Sequence, residues 1–204
     1  MAGVRLTKNE LKKQKDSLKR FRRYLPTLQL KKQQLQMVIM KVEQEKQELE
    51  GIQAKARKEL ESWVHVFGEN ETFAKGSRVE DLVTIRQVEY EKGNIAGVNI
   101  PIYQGIQFEE VPYDFLSYPL WVDRGIEALK QLAELDAQIS TLEKQIRLLQ
   151  RELRTTSQRV NLFEKVKIPE AAHAIRMIQI YLGDQQTAAV VRGKIAKNKI
   201  VKVS

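Results

Sequence analysis

The stretch Leu28-Gln29-Leu30-Lys31-Lys32-Gln33-Gln34-Leu35-Gln36-Met37-Val38-Ile39-Met40-Lys41-Val42 decides the architecture. Stepped by three and four, it picks out Leu28, Lys32, Leu35, Ile39 and Val42. At 3.6 residues per turn these positions share one helix face, whereas a strand would scatter them over both faces. The spacing extends outward to Leu11, Gln14, Leu18, Phe21 and Leu25 on one side, and to Lys46, Leu49, Gln53, Ala56, Leu60 and Trp63 on the other. Twelve of these sixteen sites are apolar, where composition alone would place about seven. Mostly Lys, Gln and Glu lie between them, the solvated faces of a coiled coil. Upstream, Thr7 followed by Glu10 predicts a capping box, with Thr7 accepting from a first-turn N–H and Glu10 reaching back. A helix over about 8–67 follows, roughly 90 Å long at 1.5 Å per residue.

A second stripe starts at Trp121 and runs through Gly125, Ala128, Leu132, Leu135, Ile139, Leu142, Ile146, Leu149, Leu153, Thr156, Val160 and Phe163. Beyond Pro169, Ala171, Ile175, Ile178 and Leu182 continue a helical stripe. Gly183-Asp184 is expected to loosen it, with Ala188–Lys199 resuming as a short basic helix. Pro26 and Pro169 each remove an N–H and crowd the carbonyl four residues back, that of Arg22 and of Lys165. Neither follows a good N-cap residue, so both read as kinks within continuing helices.

Between the stripes the pattern changes. Residues 68–118 contain five glycines, against one, Gly51, in the preceding sixty residues. Val83–Tyr90 and Val98–Tyr103 are strand-like, with turn chemistry at Gly93, Asn94 and Gly97. A hairpin is the simplest reading. The organisation expected is a helix over 1–67, an insert with a β-hairpin over 68–118, and a helix with a basic tail over 119–204. Folding the two stripes together makes a mainly α chain: a long antiparallel two-helix coiled coil carrying a small β-hairpin insert. With Trp63 near Trp121, paired residue numbers add up to about 184, which sets Leu11 opposite His173. The second half then overhangs the first by some thirty residues.

Charge sharpens that picture. The net charge is +9; residues 1–32 hold eleven Lys or Arg and two acids, and 173–204 hold six and one. Both basic segments meet at one end, and the middle of the chain carries −5. The residues expected to form that basic tip are Lys12, Lys19, Arg20, Arg22, Arg23, Lys31, Arg176, Arg192 and Lys194. Lys32 and Lys46 occupy seam positions, either snorkelling into water or fixing register against an acid.

Signs of catalysis are missing. The sequence has neither of the glycine-rich phosphate-binding patterns and no His-Glu-x-x-His, and its two histidines, His65 and His173, fall far apart in the proposed register. Glu109, Glu110 and Asp114 read as solvated carboxylates. With no cysteine there is no disulfide framework or Cys-based zinc site, and a reducing compartment fits. The first residues lack the apolar region of a signal peptide, and no apolar run is long enough to cross a bilayer. A cytoplasmic location is expected, with no membrane insertion and no cofactor. A basic coiled coil binding nucleic acid and a generic dimerising scaffold stay open, although only Phe21 and Tyr24 interleave the basic residues as stacking aromatics. An anionic membrane surface fits less well, because the basic stretch also carries the seam's leucines.

Specific motifs point to one family. Leu6-Thr7-Lys8 with Leu11 and Leu18, then Leu28, Lys31 and Leu35, and in the insert Asn94-Ile95-Ala96-Gly97-Val98 with Pro101, all resemble the D subunit of the V-type (vacuolar/archaeal-type) ATPases and ATP synthases. The most specific likeness is Arg159-Val160-Asn161-Leu162-Phe163-Glu164 followed by Ile168-Pro169, Ile175 and Ile178. Gln29 stands where many members have Lys, and Phe163 where Leu is common. The resemblance implies a non-catalytic central rotor stalk in ATP synthesis or ATP-driven ion (hydrogen ion) transport. Three A and three B subunits would form a catalytic sleeve around the basic tip. The F subunit would lie on the side of the shaft, and the socket formed by the C (or d) subunit would receive the closed end.

Overall fold

A computed structural model describes residues 5–67, 82–113 and 121–201. In chain order it contains α1 (Lys8–Phe67), the strands β1 (Val83–Ile95) and β2 (Val98–Glu110), α2 (Val122–Leu162), a π-helical segment (Phe163–Lys167) and α3 (Ile168–Val201). The fold is two long helical stretches with one antiparallel hairpin between them. By contacts the chain forms two compact units, one of Met1–Gln33 with Arg154–Ser204 and the other of Gln34–Leu153.

In the Gln34–Leu153 unit, the α1 stripe becomes the core. Leu35, Ile39, Val42, Ile100 and Leu149 are buried together, joined by Leu142, Ile146 and the hairpin-tip residues Ile95, Ala96 and Val98. The hairpin therefore packs its tip onto the helix pair. Gln145, almost fully buried on α2, donates from Nε2 to the Pro101 carbonyl at 2.6 Å and ties β2 down. At the other end of the hairpin, Leu82, Val122 and Ile126 form a second core with Trp121 and Tyr113 against it. Tyr113 donates its hydroxyl to Asp123. The side chains of Trp63 and His65, and residue Asp114, lie outside the described residues.

The hairpin corrects part of the sequence reading. Its two-residue turn is Ala96-Gly97, with φ of 52° and 79°, while Gly93 and Asn94 belong to β1. Two successive left-handed residues match the twist of paired strands, and Gly97 supplies one of them without strain. Asn94 acts on the turn from the strand: its Oδ1 accepts from the Gly97 N–H at 3.1 Å and its Nδ2 donates to Asn99 at 2.8 Å. Gly93 answers a different need. A Cβ there would stand 2.5 Å from Ile102 Cδ1, so the position admits the neighbouring strand's side chain. The strands run to thirteen residues each, past the β-rich runs, with register shifts at Ile85/Gln87 and Glu89/Tyr90. Gln104 with Glu91 and Gln107 with Glu89 link the polar face across the ladder.

Lys46 settles its own reading. Its Nζ lies 2.8 Å from Glu143 on α2 and 3.3 Å from Glu50 on α1, so it clamps the two helices in register. The Glu143 contact, then that of Glu50, holds the Lys46 pKa above its ordinary 10.5; the Lys46 contact holds Glu143 below its ordinary 4.5. A raised cation pKa contributes stability that is complete below 10.5 and lost as pH rises through the folded value. A lowered carboxylate pKa contributes stability that is complete above 4.5 and lost as pH falls through the folded value. The stability difference between the native chain and Lys46→Gln should therefore form a plateau between these limits and shrink beyond each. Denaturant titration across pH checks this. A flat difference through both limits would contradict the pairing.

In the unit of Met1–Gln33 and Arg154–Ser204, α1 begins with half of the expected box. Thr7 Oγ1 accepts from the Glu10 N–H at 3.2 Å. The Glu10 carboxylate accepts from Gln14, and the Thr7 N–H donates to the Arg5 carbonyl. Phe21 and Phe163 stack with centroids 5.3 Å apart and planes tilted by 47°, in the register that adds up to 184. Thr156, Val160, Ala171, Ala174 and Ile178 are the buried positions of α2 and α3 in this unit. α1 runs unbroken through Pro26, and the Thr27 hydroxyl donates to the Tyr24 carbonyl at 2.7 Å. α3 likewise runs unbroken to Val201, a correction to the loosening expected at Gly183-Asp184. A glycine in open solvent costs a helix only about 1 kcal/mol, and a Cβ at Gly183 would meet nothing within 4 Å.

Candidate interaction surface

Nine basic residues singled out by the sequence fall in one compact unit. Lys12, Lys19, Arg20, Arg22 and Arg23 are exposed along α1, with Lys31 half-buried further on. Arg176, Arg192 and Lys194 are exposed on α3. Charge divides between the units more sharply than it does along the chain. The Met1–Gln33/Arg154–Ser204 unit holds twenty-one Lys or Arg and five acids, a net of 21 − 5 = +16. The Gln34–Leu153 unit holds fourteen and twenty-one, a net of 14 − 21 = −7. A net of that size on so few residues makes a strong positive field over the unit's surface.

Helix geometry explains why so many cations face water. Phe21, Leu25 and Leu28 sit at seam spacing and are half-buried, so Arg22 and Arg23 are carried round to the solvent side. The Arg20 guanidinium donates to Ser17 Oγ at 3.3 Å, an exposed contact within one helix turn. On α3 the arrangement differs. From Gly183 to Lys199 every residue is exposed, so seventeen residues of helix stand without a packed neighbour among the described residues. A helical stretch that buries no face forgoes tertiary packing, the main source of helix stability in proteins. Val190, Val191 and Ile195, at 60%, 50% and 51% exposure, are apolar groups on this stretch beside Arg192 and Lys194. Such a mixture suits a partner surface that is acidic at its edge and apolar where it makes contact.

No reaction centre takes shape among the described residues. No cluster of three or more His, Cys, Asp or Glu converges there. No helix there is long and apolar enough to cross a membrane. His173 lies exposed on α3. Glu109 pairs across the ladder with Thr84 in an exposed part of the hairpin.

Sequence reasoning missed the polar anchors. Gln145 and Thr141 are buried on α2, with Thr141 donating back to the Ala137 carbonyl at 2.7 Å. Both fall outside the apolar stripe because they face the hairpin as well as α1; no periodicity count flags them.

Comparison with known proteins converges on one family. The family profile described as the ATP synthase D subunit matches residues 10–198. The V-type ATP synthase D subunit of Borreliella burgdorferi is 52% identical over 202 residues, covering 99% of this chain and 97% of the relative. The proteins of that name from Chlamydia abortus and Chlamydia pneumoniae are 34% and 32% identical, each covering 97% of this chain and 93% of the relative.

Proposed function

This chain belongs to the ATP synthase D-subunit family, and from that premise we propose that it is the central shaft of a V-type ATP synthase. In this role it has no active site and carries torque between nucleotide chemistry in a surrounding hexamer and ion movement in a membrane ring. The observation that carries the reading is the pairing of a +16 unit with seventeen residues of helix that no described residue covers. A helix in that state gains stability from a sheath, and its cations favour an acidic one. The A and B subunits supply the sheath. The F subunit binds along the side, and the socket of the C (or d) subunit takes the hairpin end. The complex holds the shaft on the cytoplasmic side of the membrane.

Torque requires that the two helices do not slide past each other. The buried seam and the Lys46–Glu143 clamp oppose sliding. Torque also requires a tip that presents unlike faces to three like partners. Two helices of unequal length, α1 carrying Pro26 and the other stretch Pro169, have no threefold symmetry and so favour a different state in each catalytic pair.

Co-expression with the A and B subunits tests this. The chain should co-purify with the nucleotide-binding hexamer at near-stoichiometric yield and restore coupled turnover to a complex depleted of it. A hexamer that assembles and couples fully without the chain would overturn the reading.

A further inference from the structure

We propose that Phe163–Pro169 is a confined torsional joint within the α2–α3 stretch. In this segment the Ile168 N–H reaches back five residues to the Phe163 carbonyl, where an α-helix would reach four, at the cost of regular hydrogen bonding. The segment lies between two packed runs, Thr156 and Val160 before it and Ala171, Ala174 and Ile178 after it.

That cost is local. The α-helical partner of the Glu164 carbonyl would be the Ile168 N–H, already given to Phe163, and the next donor along would be Pro169, which has none. The Lys165 carbonyl would also look to Pro169. Two successive carbonyls on exposed residues therefore lack α-helical donors. Within the segment no residue is buried, and the Lys167–Glu170 pair that spans its end at 3.4 Å is exposed. Here the backbone twists with the fewest bonds to break.

Two features confine the joint. A π-turn migrates by exchanging one hydrogen bond at a time, and each step turns one residue by about 100° around the helix. A step towards α3 would need an N–H at Pro169, so migration stops there. A step towards α2 would swing Phe163 off Phe21 and break the ring contact. Using this joint to store or pass torque rests on the function proposed above; its existence does not.

Hydrogen exchange on the full chain tests the joint without reference to the complex. Amides of 164–170 should exchange about tenfold or more faster than those of 156–160 and 174–178 in the same helical stretch. With Pro169→Ala the fast window should spread into α3. A native window as protected as its flanks, or a Pro169→Ala window no wider than the native one, would overturn the joint. If the joint is confirmed but co-purification with the hexamer fails, only the functional reading falls.

Discussion

Leu149→Ala is expected to lower the free energy of unfolding by about 3 kcal/mol, within the range for a fully buried leucine cut back to alanine. Leu149 is 0% exposed and sits among Leu35, Ile39, Val42 and Ile100, so it touches α1 and the hairpin at once. The space left would be lined by branched side chains on separate elements, which cannot all close over it. Its neighbour Leu148, at 38% exposure, is the internal control. Leu148→Ala should cost about 0.5 kcal/mol or less. Urea unfolding monitored by far-UV circular dichroism measures both. Equal costs would mean that Leu149 is not the meeting point of three elements. Leu35→Ala combined with Leu149→Ala should fall short of the sum, because the two share one cavity.

Replacing Arg20, Arg22, Arg23 and Lys31 together by Gln is the second large effect. It takes the basic unit from +16 to 16 − 4 = +12 while keeping residues of good helix propensity. Association with the nucleotide-binding hexamer should weaken by about tenfold or more at low ionic strength, with the difference shrinking as salt screens the field. A matched variant with Lys41, Lys55, Lys58 and Lys92 changed to Gln removes the same charge from exposed sites of the acidic unit. It should assemble as the native chain does. If both variants behave alike, the basic surface has no special part in assembly. Unchanged assembly, turnover and pumping in the first would leave the sheath without an electrostatic component.

How much of this could be read in advance depended on which force chose each residue. Leu35, Ile39, Val42 and Leu149 were legible because burial of one helix face repeats every three or four residues, and repetition survives without any knowledge of the partner. The same regularity located the basic cluster, since residues excluded from the seam must face solvent. The hairpin was legible as a break in that pattern, but its turn was not. Gly93-Asn94 looks like turn chemistry, yet strand pairing placed these residues in β1 and left Ala96, with no side-chain signal for a positive φ, to make half the turn. Glu91, Gln104 and Gln107 lie beyond the strand-like runs and resemble a helix surface by composition. Pairing in the ladder, a long-range choice, made them strand. The π segment left no trace in the periodicity, because Ala171, Ala174 and Ile178 lie on the Val160 face of an uninterrupted helix as well.

The Lys46–Glu143 clamp also bears on the making of the protein. Leu149 follows Leu35 by 149 − 35 = 114 positions, so at about 5–20 residues per second α1 waits on the order of ten seconds for its mate. A helix forms in about a microsecond. Throughout that wait α1 is a finished helix with a bare apolar stripe, and the nearest complementary stripe belongs to another nascent α1. In such a parallel pair Lys46 would meet Lys46, and Lys32 would meet Lys32. Two like-charge encounters in the seam make the stray dimer a poor trap. The chain's own second helix, arriving last, adds the Glu143 carboxylate to that of Glu50, which stands beside Lys46 on the same helix.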